Sequence, residues 1–190
     1  DRLAIAVDYA FNHTGSSSWQ TLAIGAVLYS FQIYCDFSGY SDIGIGAAKV
    51  MGIRLMENFN QPYVANNITN FWSRWHISLS TWFRDYVYIP LGGNRKGPVR
   101  RRLNVMAVFL LSGLWHGANW TFVLWGGLHG FLVMLFPGKR EGWKYGNKLR
   151  VMFFIIINFI LVTLLWVFFR SPDIHAAVNY LSAIFTLQEG

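Results

Sequence analysis

The chain has 190 residues, of which 54% are hydrophobic, 18% aromatic and 13% charged. That composition excludes a disordered segment and reads as a membrane-embedded chain rather than a soluble domain. The formal charge is +7, from 16 Lys and Arg against 9 Asp and Glu, and the single Cys35 excludes an internal disulfide.

The chain opens at Asp1 without a basic n-region followed by a cleavage site, so it reads as an internal piece of a longer protein. Trp19 to Cys35 is an uncharged run of 17 residues and predicts a first span. Cys35 itself, with apolar neighbours on one side, reads as a packing residue rather than a nucleophile. The segment Asp36-Phe37-Ser38-Gly39-Tyr40-Ser41-Asp42 then interrupts the apolar region with two carboxylates and three hydroxyls. It reads equally as a capped helix junction and as the polar lining of a cavity.

From Phe71 to Ile89, Trp75, Leu79, Trp82 and Tyr86 recur at helical spacing, with Arg74, Ser78, Thr81 and Asp85 on the opposite side. This pattern predicts one interfacial amphipathic helix over 71–89, with His76 at the border of its faces.

Asn104 to Phe136 is a run of 33 residues without Asp, Glu, Lys or Arg, and it carries His116. An ionisable group at bilayer depth is expensive, which makes His116 a functional-site candidate by default. The limb 104–116 is only about 20 Å long as a helix, short of a crossing. Gly117-Ala118-Asn119 offers a turn, and Gly113, Gly117, Gly126, Gly127 and Gly130 permit close approach of two limbs. A hairpin over 104–136 is therefore predicted in preference to one long tilted helix, with its turn buried in protein or lining a cavity. Val151 to Phe169 gives the clearest span, 19 residues with only Asn158 and Thr163 polar, and 176–187 a weaker, partial one.

The basic residues fall in two loops rather than along a solvated face, which argues against nucleic acid. Arg95, Lys96, Arg100, Arg101 and Arg102 form the first; Lys139, Arg140, Lys144, Lys148 and Arg150, with Glu141, form the second. Both are cytoplasmic under the positive-inside rule. Anionic lipid and a phosphate-bearing ligand are equally good uses for these charges. The expected fold is all-α: a polytopic transmembrane helical bundle with broken, re-entrant and interfacial helices, one membrane-embedded unit over 1–190.

His76 and His116 each follow a tryptophan, and a large indole that excludes water keeps an imidazole neutral, as a general base requires. His129 reads as a satisfied core histidine, and His13 and His175 as solvated. There is no HExxH, CxxC, phosphate loop or GxSxG elbow, so no metal site is expected. A non-enzymatic reading, a transport or scaffold component with protonatable groups at depth, fits the same residues.

Several longer motifs occur in order: Asp36 to Asp42; Glu57-Asn58-Phe59-Asn60-Gln61-Pro62-Tyr63; Phe71-Trp72-Ser73-Arg74-Trp75-His76-Ile77-Ser78-Leu79-Ser80; Trp82-Phe83-Arg84-Asp85-Tyr86; Tyr88-Ile89-Pro90-Leu91-Gly92-Gly93-Asn94-Arg95; and Gly113-Leu114-Trp115-His116-Gly117-Ala118-Asn119-Trp120. Together they resemble the membrane-bound O-acyltransferase (MBOAT) family, close to its bacterial alginate O-acetyltransferase branch, over nearly the whole chain. The resemblance implies that the histidine of the WHG motif, His116, is catalytic and that His76 of the WHxSLS motif is the second active-site histidine. It also implies further spans on both sides and a multi-pass place in the bacterial inner membrane.

The residues and the resemblance together imply acyl transfer across the bilayer. Acetyl-CoA is the expected donor substrate, with no bound cofactor, and a hydroxyl of a cell-envelope or exported polysaccharide such as alginate is the expected acceptor. His116 is the expected general base, and His76 orients the acceptor or steadies the oxyanion. Arg74, Trp75, Trp115, Asn119, Asp36, Ser38 and Asp42 are the expected substrate-binding residues. Arg95, Lys96, Arg100, Arg101 and Arg102 are expected to hold donor phosphates. Membrane lipid and periplasmic acetyl-transfer proteins are the expected partners. Direct transfer and a covalent acyl relay both remain open, and a D-alanyl transferase acting on teichoic acid is the near competitor, although Tyr88 to Lys96 resembles the polysaccharide-acetylating branch more closely.

Overall fold

The computed structural model describes residues 2–138 and 147–190. Within them the chain is helical, with no strand: α1 (Arg2–Asn12), α2 (Trp19–Val50), α3 (Ile68–Trp72), α4 (Ile77–Phe83), α5 (Gly97–His116), α6 (Trp120–Leu135), α7 (Lys148–Arg170) and α8 (Ile174–Phe185). Short polar side chains start most of them. Ser18, Asn67, Asn119, Asn147 and Asp173 accept from the backbone N–H of Thr21, Asn70, Thr121, Leu149 and Ala176 in the first turns of α2, α3, α6, α7 and α8. Each such cap satisfies a donor that no intrahelical carbonyl can reach.

Helix α7 is the one described helix long and apolar enough to cross a membrane; α6 and α8 are shorter apolar helices. Its inner face carries Val162, Trp166 and Val167 into the core, and its two buried polar residues, Asn158 and Thr163, are both used. Thr163 Oγ1 shares a hydrogen bond of 3.0 Å with Ser30 Oγ of α2, and Asn158 Nδ2 donates to the Ala65 carbonyl at 3.0 Å. Polar groups thus fix the register of α7 where apolar packing alone would let it slide.

Three expectations from sequence are altered. Helix α2 runs on through Asp36 to Val50, so Asp36–Asp42 is neither a junction nor a cap. A run of 32 residues reaches about 48 Å. Arg100, Arg101 and Arg102 lie inside α5, which begins at Gly97, and the first limb of the hairpin is therefore about 30 Å long rather than 20 Å. Most important, 71–89 is not one helix. It is α3, a break at 73–76, α4 and a wide turn at Arg84–Tyr88. His76 sits at the break with φ 45° and ψ 56°, a left-handed conformation costing a non-glycine residue about 1–2 kcal/mol. The aromatic residues that suggested a single face separate accordingly: Trp75 is buried, whereas Trp82 and Tyr86 are exposed.

Helices α5 and α6 meet in a hairpin. A Cβ on Gly113 would collide with the Phe122 carbonyl and one on Gly126 with the Phe109 carbonyl, so the two backbones touch where both helices lack side chains. Gly117, at φ 153°, ends α5 immediately after His116. Asn119 holds the turn to the end of α7 by donating to the Pro172 carbonyl at 2.7 Å. Lys139, Arg140, Glu141 and Lys144 of the second basic loop lie outside the described residues, while Lys148 and Arg150 belong to α7.

Candidate active site

The last turn of α5 and the break between α3 and α4 deliver His116 and His76 to one cavity of about 370 Å³. Its walls are largely apolar: Ile33 and Phe37 of α2, Val105, Val108 and Phe109 of α5, and Trp72, Trp75, Trp125, Trp166 and Phe169 around the back. Ser73, Ser80 and Ser112 add hydroxyls. Neither imidazole is fully buried, so both can meet a solute there.

The two rings are held differently. His116 is packed by aromatic edges, with ring centroids 4.9 Å from Phe169, 5.0 Å from Trp115 and 5.3 Å from Trp125. Among the described residues no side-chain hydrogen bond fixes its tautomer. His76 packs edge-on to Phe37 at 4.6 Å and lies 6.2 Å from Trp115, and its Nδ1 is 3.1 Å from Asn58 Oδ1. Asn58 lies on the irregular segment that leaves α2. That segment is pinned to the break by Ile77 N–H donating to the Asn58 carbonyl at 2.9 Å and Asn60 N–H donating to the Arg74 carbonyl at 2.9 Å.

Of the residues expected to bind substrate, Trp75 lines the cavity. Trp115 does not border it, although its ring packs against both imidazoles, and it is 59% exposed. Arg74 turns away, donating to the Asn60 carbonyl at 3.2 Å. Asn119 caps α6 and is not on the cavity. Asp36, Ser38 and Asp42 are also off it; the two carboxylates are exposed on α2, and Ser38 Oγ donates to the Cys35 carbonyl at 3.5 Å. Cys35 is exposed rather than packed.

Arg95, Lys96, Arg100, Arg101 and Arg102 are exposed, and none lines the cavity. The basic side chain that does is Arg84, beside Tyr88. It pairs with Asp85 through two contacts of 2.7 and 3.1 Å, and that hydrogen bonding holds the Asp85 carboxyl below its usual range. Arg84 and Asn58 both fall within motifs that sequence singles out, yet nothing in their spacing marks them as site residues.

His129 is fully buried behind the cavity, where its Nδ1 accepts from Trp72 Nε1 at 3.2 Å. His13 bonds the Tyr9 carbonyl, and His175 bonds Asn179, both on exposed helix ends. Among the described residues no three His, Cys, Asp or Glu side chains cluster as a metal would require.

Among the described residues the chain is helical, with His76 and His116 on one apolar cavity. The profile of the MBOAT, membrane-bound O-acyltransferase family matches residues 6–171, and the chain belongs to that family of membrane proteins. It is 45% identical to a protein named probable alginate O-acetylase AlgI from Pseudomonas fluorescens, over 100% of this chain and 38% of the relative. It is 40% identical to the peptidoglycan O-acetyltransferase of Helicobacter pylori over 97% of the chain and 35% of the relative. The teichoic acid D-alanyltransferase of Bacillus subtilis is more distant, 33% identical over 77% of the chain and 40% of the relative. The chain thus spans little more than a third of the length of the curated relatives it matches most strongly.

Proposed function

We propose that this chain forms the catalytic core of an O-acyltransferase that moves an acetyl group from a thioester donor, acetyl-CoA, to hydroxyls of a cell-envelope or exported polysaccharide such as alginate. The observation that carries the reading is the convergence of His76 and His116 on one apolar cavity. A thioester carbonyl and a sugar hydroxyl must meet there with water excluded, because water would compete as the acceptor. A paired imidazole site supplies the rest: one ring takes the hydroxyl proton, and the other supports charge on the carbonyl oxygen.

The full protein is a multi-pass protein of the bacterial inner membrane, with cytosolic donor and external acceptor reaching the cavity from opposite sides. Arg84 stands at the cavity and is better placed than Arg95, Lys96 or Arg100–Arg102 to meet a donor phosphate; those five suit anionic lipid on the cytoplasmic face. The donor is consumed as a substrate, so no resident cofactor is invoked, and periplasmic proteins that carry acetyl groups onward are the natural partners. D-alanyl transfer to teichoic acid is the second reading, and the lower identity to that relative favours acetylation.

The test is transfer of label from acetyl-CoA to envelope carbohydrate in membranes holding the full-length protein. His116→Ala should abolish transfer and leave membrane insertion intact. Retained transfer excludes a role for that ring, and transfer of label from D-alanyl donors alone selects the second reading. A transport or scaffold component would move no label at all.

A further inference from the structure

A second cavity, of about 350 Å³, lies apart from the histidines and shares no lining residue with theirs. That volume falls within the roughly 300–1,000 Å³ of ligand pockets. Phe154, Ile157 and Leu161, at the i, i+3, i+7 spacing of one helix face, bring α7 to one wall, and Leu132 and Phe136 bring α6 to another. No Asp or Glu lines it. Asn66, just before α3, does: it is 7% exposed, its Oδ1 accepts from Asn67 Nδ2 at 3.1 Å, and its own Nδ2 has no hydrogen-bond partner among the described residues. A buried donor in that state calls for an acceptor, and the cavity is where one can come from. One turn before Phe154, Arg150 sets its guanidinium 5.9 Å from the centre of the Phe154 ring, and exposed Lys148 precedes it. Met152, Phe153, Ile156 and Ile160, also exposed, flank the apolar wall of the same helix, so the cavity adjoins a surface of the kind that acyl chains cover.

We propose that this cavity is a site for an anionic phospholipid: one acyl chain lies along Phe154, Ile157 and Leu161, an ester carbonyl accepts from Asn66 Nδ2, and the headgroup pairs with Lys148 and Arg150. The basic start of α7 faces the cytoplasmic leaflet under the positive-inside rule, and a lipid of that leaflet reaches the cavity sideways, without leaving the bilayer. Its tail gains little by moving from other tails to walls equally apolar, so packing and the polar end decide which lipid stays. Two cations near the membrane surface favour an anionic headgroup about tenfold or more. The bound lipid bridges the start of α3, the end of α6 and the middle of α7, and these helices carry Trp72, Trp125 and Trp166 to the wall of the catalytic cavity. Lipid in one cavity therefore braces the wall of the other, and as a ligand of the folded state it raises stability.

Lipid binding to the full-length protein, read by native mass spectrometry from detergent, tests this without any turnover. Phosphatidylglycerol and phosphatidylcholine with the same oleoyl chains are the probes, since they differ in headgroup charge alone. The wild type should retain one phosphatidylglycerol about tenfold more tightly than phosphatidylcholine, and the anionic lipid should raise the midpoint of thermal unfolding. Replacing Lys148 and Arg150 together by Gln should remove the preference and leave phosphatidylcholine binding as it was. Ile157→Trp fills the cavity and should weaken both lipids about tenfold while both cations remain; undiminished phosphatidylglycerol binding by this variant means that surface charge alone holds the lipid, and it overturns the proposal. The wild type gives two checks that need no variant. An ether-linked phosphatidylglycerol, which has no carbonyl for Asn66, should bind several-fold more weakly than the ester, and equal binding overturns the proposed pose. A wild type that retains no lipid, its cavity closed by another segment of the full-length protein, or that holds both headgroups equally, overturns the site.

Discussion

Trp72 donates its indole N–H to His129 Nδ1 in the apolar layer behind the cavity, and that bond decides how His129 should be read. A buried donor left without its acceptor costs about 1–3 kcal/mol. His129→Phe should therefore lower the midpoint of thermal unfolding in detergent, and adding Trp72→Phe should recover part of the loss because the orphaned donor goes with it. If the double substitution is as destabilising as the sum of the two, the hydrogen bond is not the cause. Of the five histidines, His13 and His175 are legible as solvated and His129 as a core residue, and the structure places them so, although His129 is satisfied only through Nδ1 and its buried Nε2 has no hydrogen-bond partner among the described residues. Asn58 is not legible. Its partner is 18 residues away across an irregular segment, and no periodicity connects the two.

At the scale of elements, sequence periodicity misleads at 71–89 and serves well elsewhere. Phe71, Trp75, Leu79 and Trp82 keep helical spacing, but the Asn58 carbonyl takes the Ile77 N–H, and a left-handed His76 turns the chain between α3 and α4. A tertiary hydrogen bond overrides local propensity, and only the fold can reveal that. The end of α5 is legible because Gly117 marks it, whereas the start is not, since Arg100–Arg102 read as a loop and sit in a helix. The α5–α6 hairpin depends on backbone contact, so overpacking it should cost about 1–3 kcal/mol. Gly126→Val should lower thermal stability in detergent and reduce transfer, because Val105, Val108 and Phe109 of the same α5 wall line the cavity. An unchanged midpoint would show that the helices can part without consequence.

For the molecule as a whole, the apolar composition, the helical fold and the family are readable from residues alone, while the cavity is not, because six helices, the break at 73–76 and the turn at Arg84–Tyr88 contribute to it. Exposed apolar residues on α2, among them Tyr40, Ile43 and Val50, belong to a chain that makes up little more than a third of its relatives' length. The charges also separate by place. Arg84→Gln should raise the KM for acetyl-CoA about tenfold, the loss of one charge-assisted hydrogen bond, whereas neutralising Arg100, Arg101 and Arg102 together should alter it less. Kinetics in membranes with each variant check the order, and the opposite order would return donor binding to the start of α5.

The claim on which all of this rests is that the two imidazoles act as one unit in one cavity, and a double-mutant cycle in the labelled-acetyl assay tests it most directly. His76→Ala and His116→Ala should each remove nearly all transfer, and the double substitution should be no worse than either alone, as groups that act together behave. Losses that multiply, or one substitution that leaves transfer intact, would contradict it.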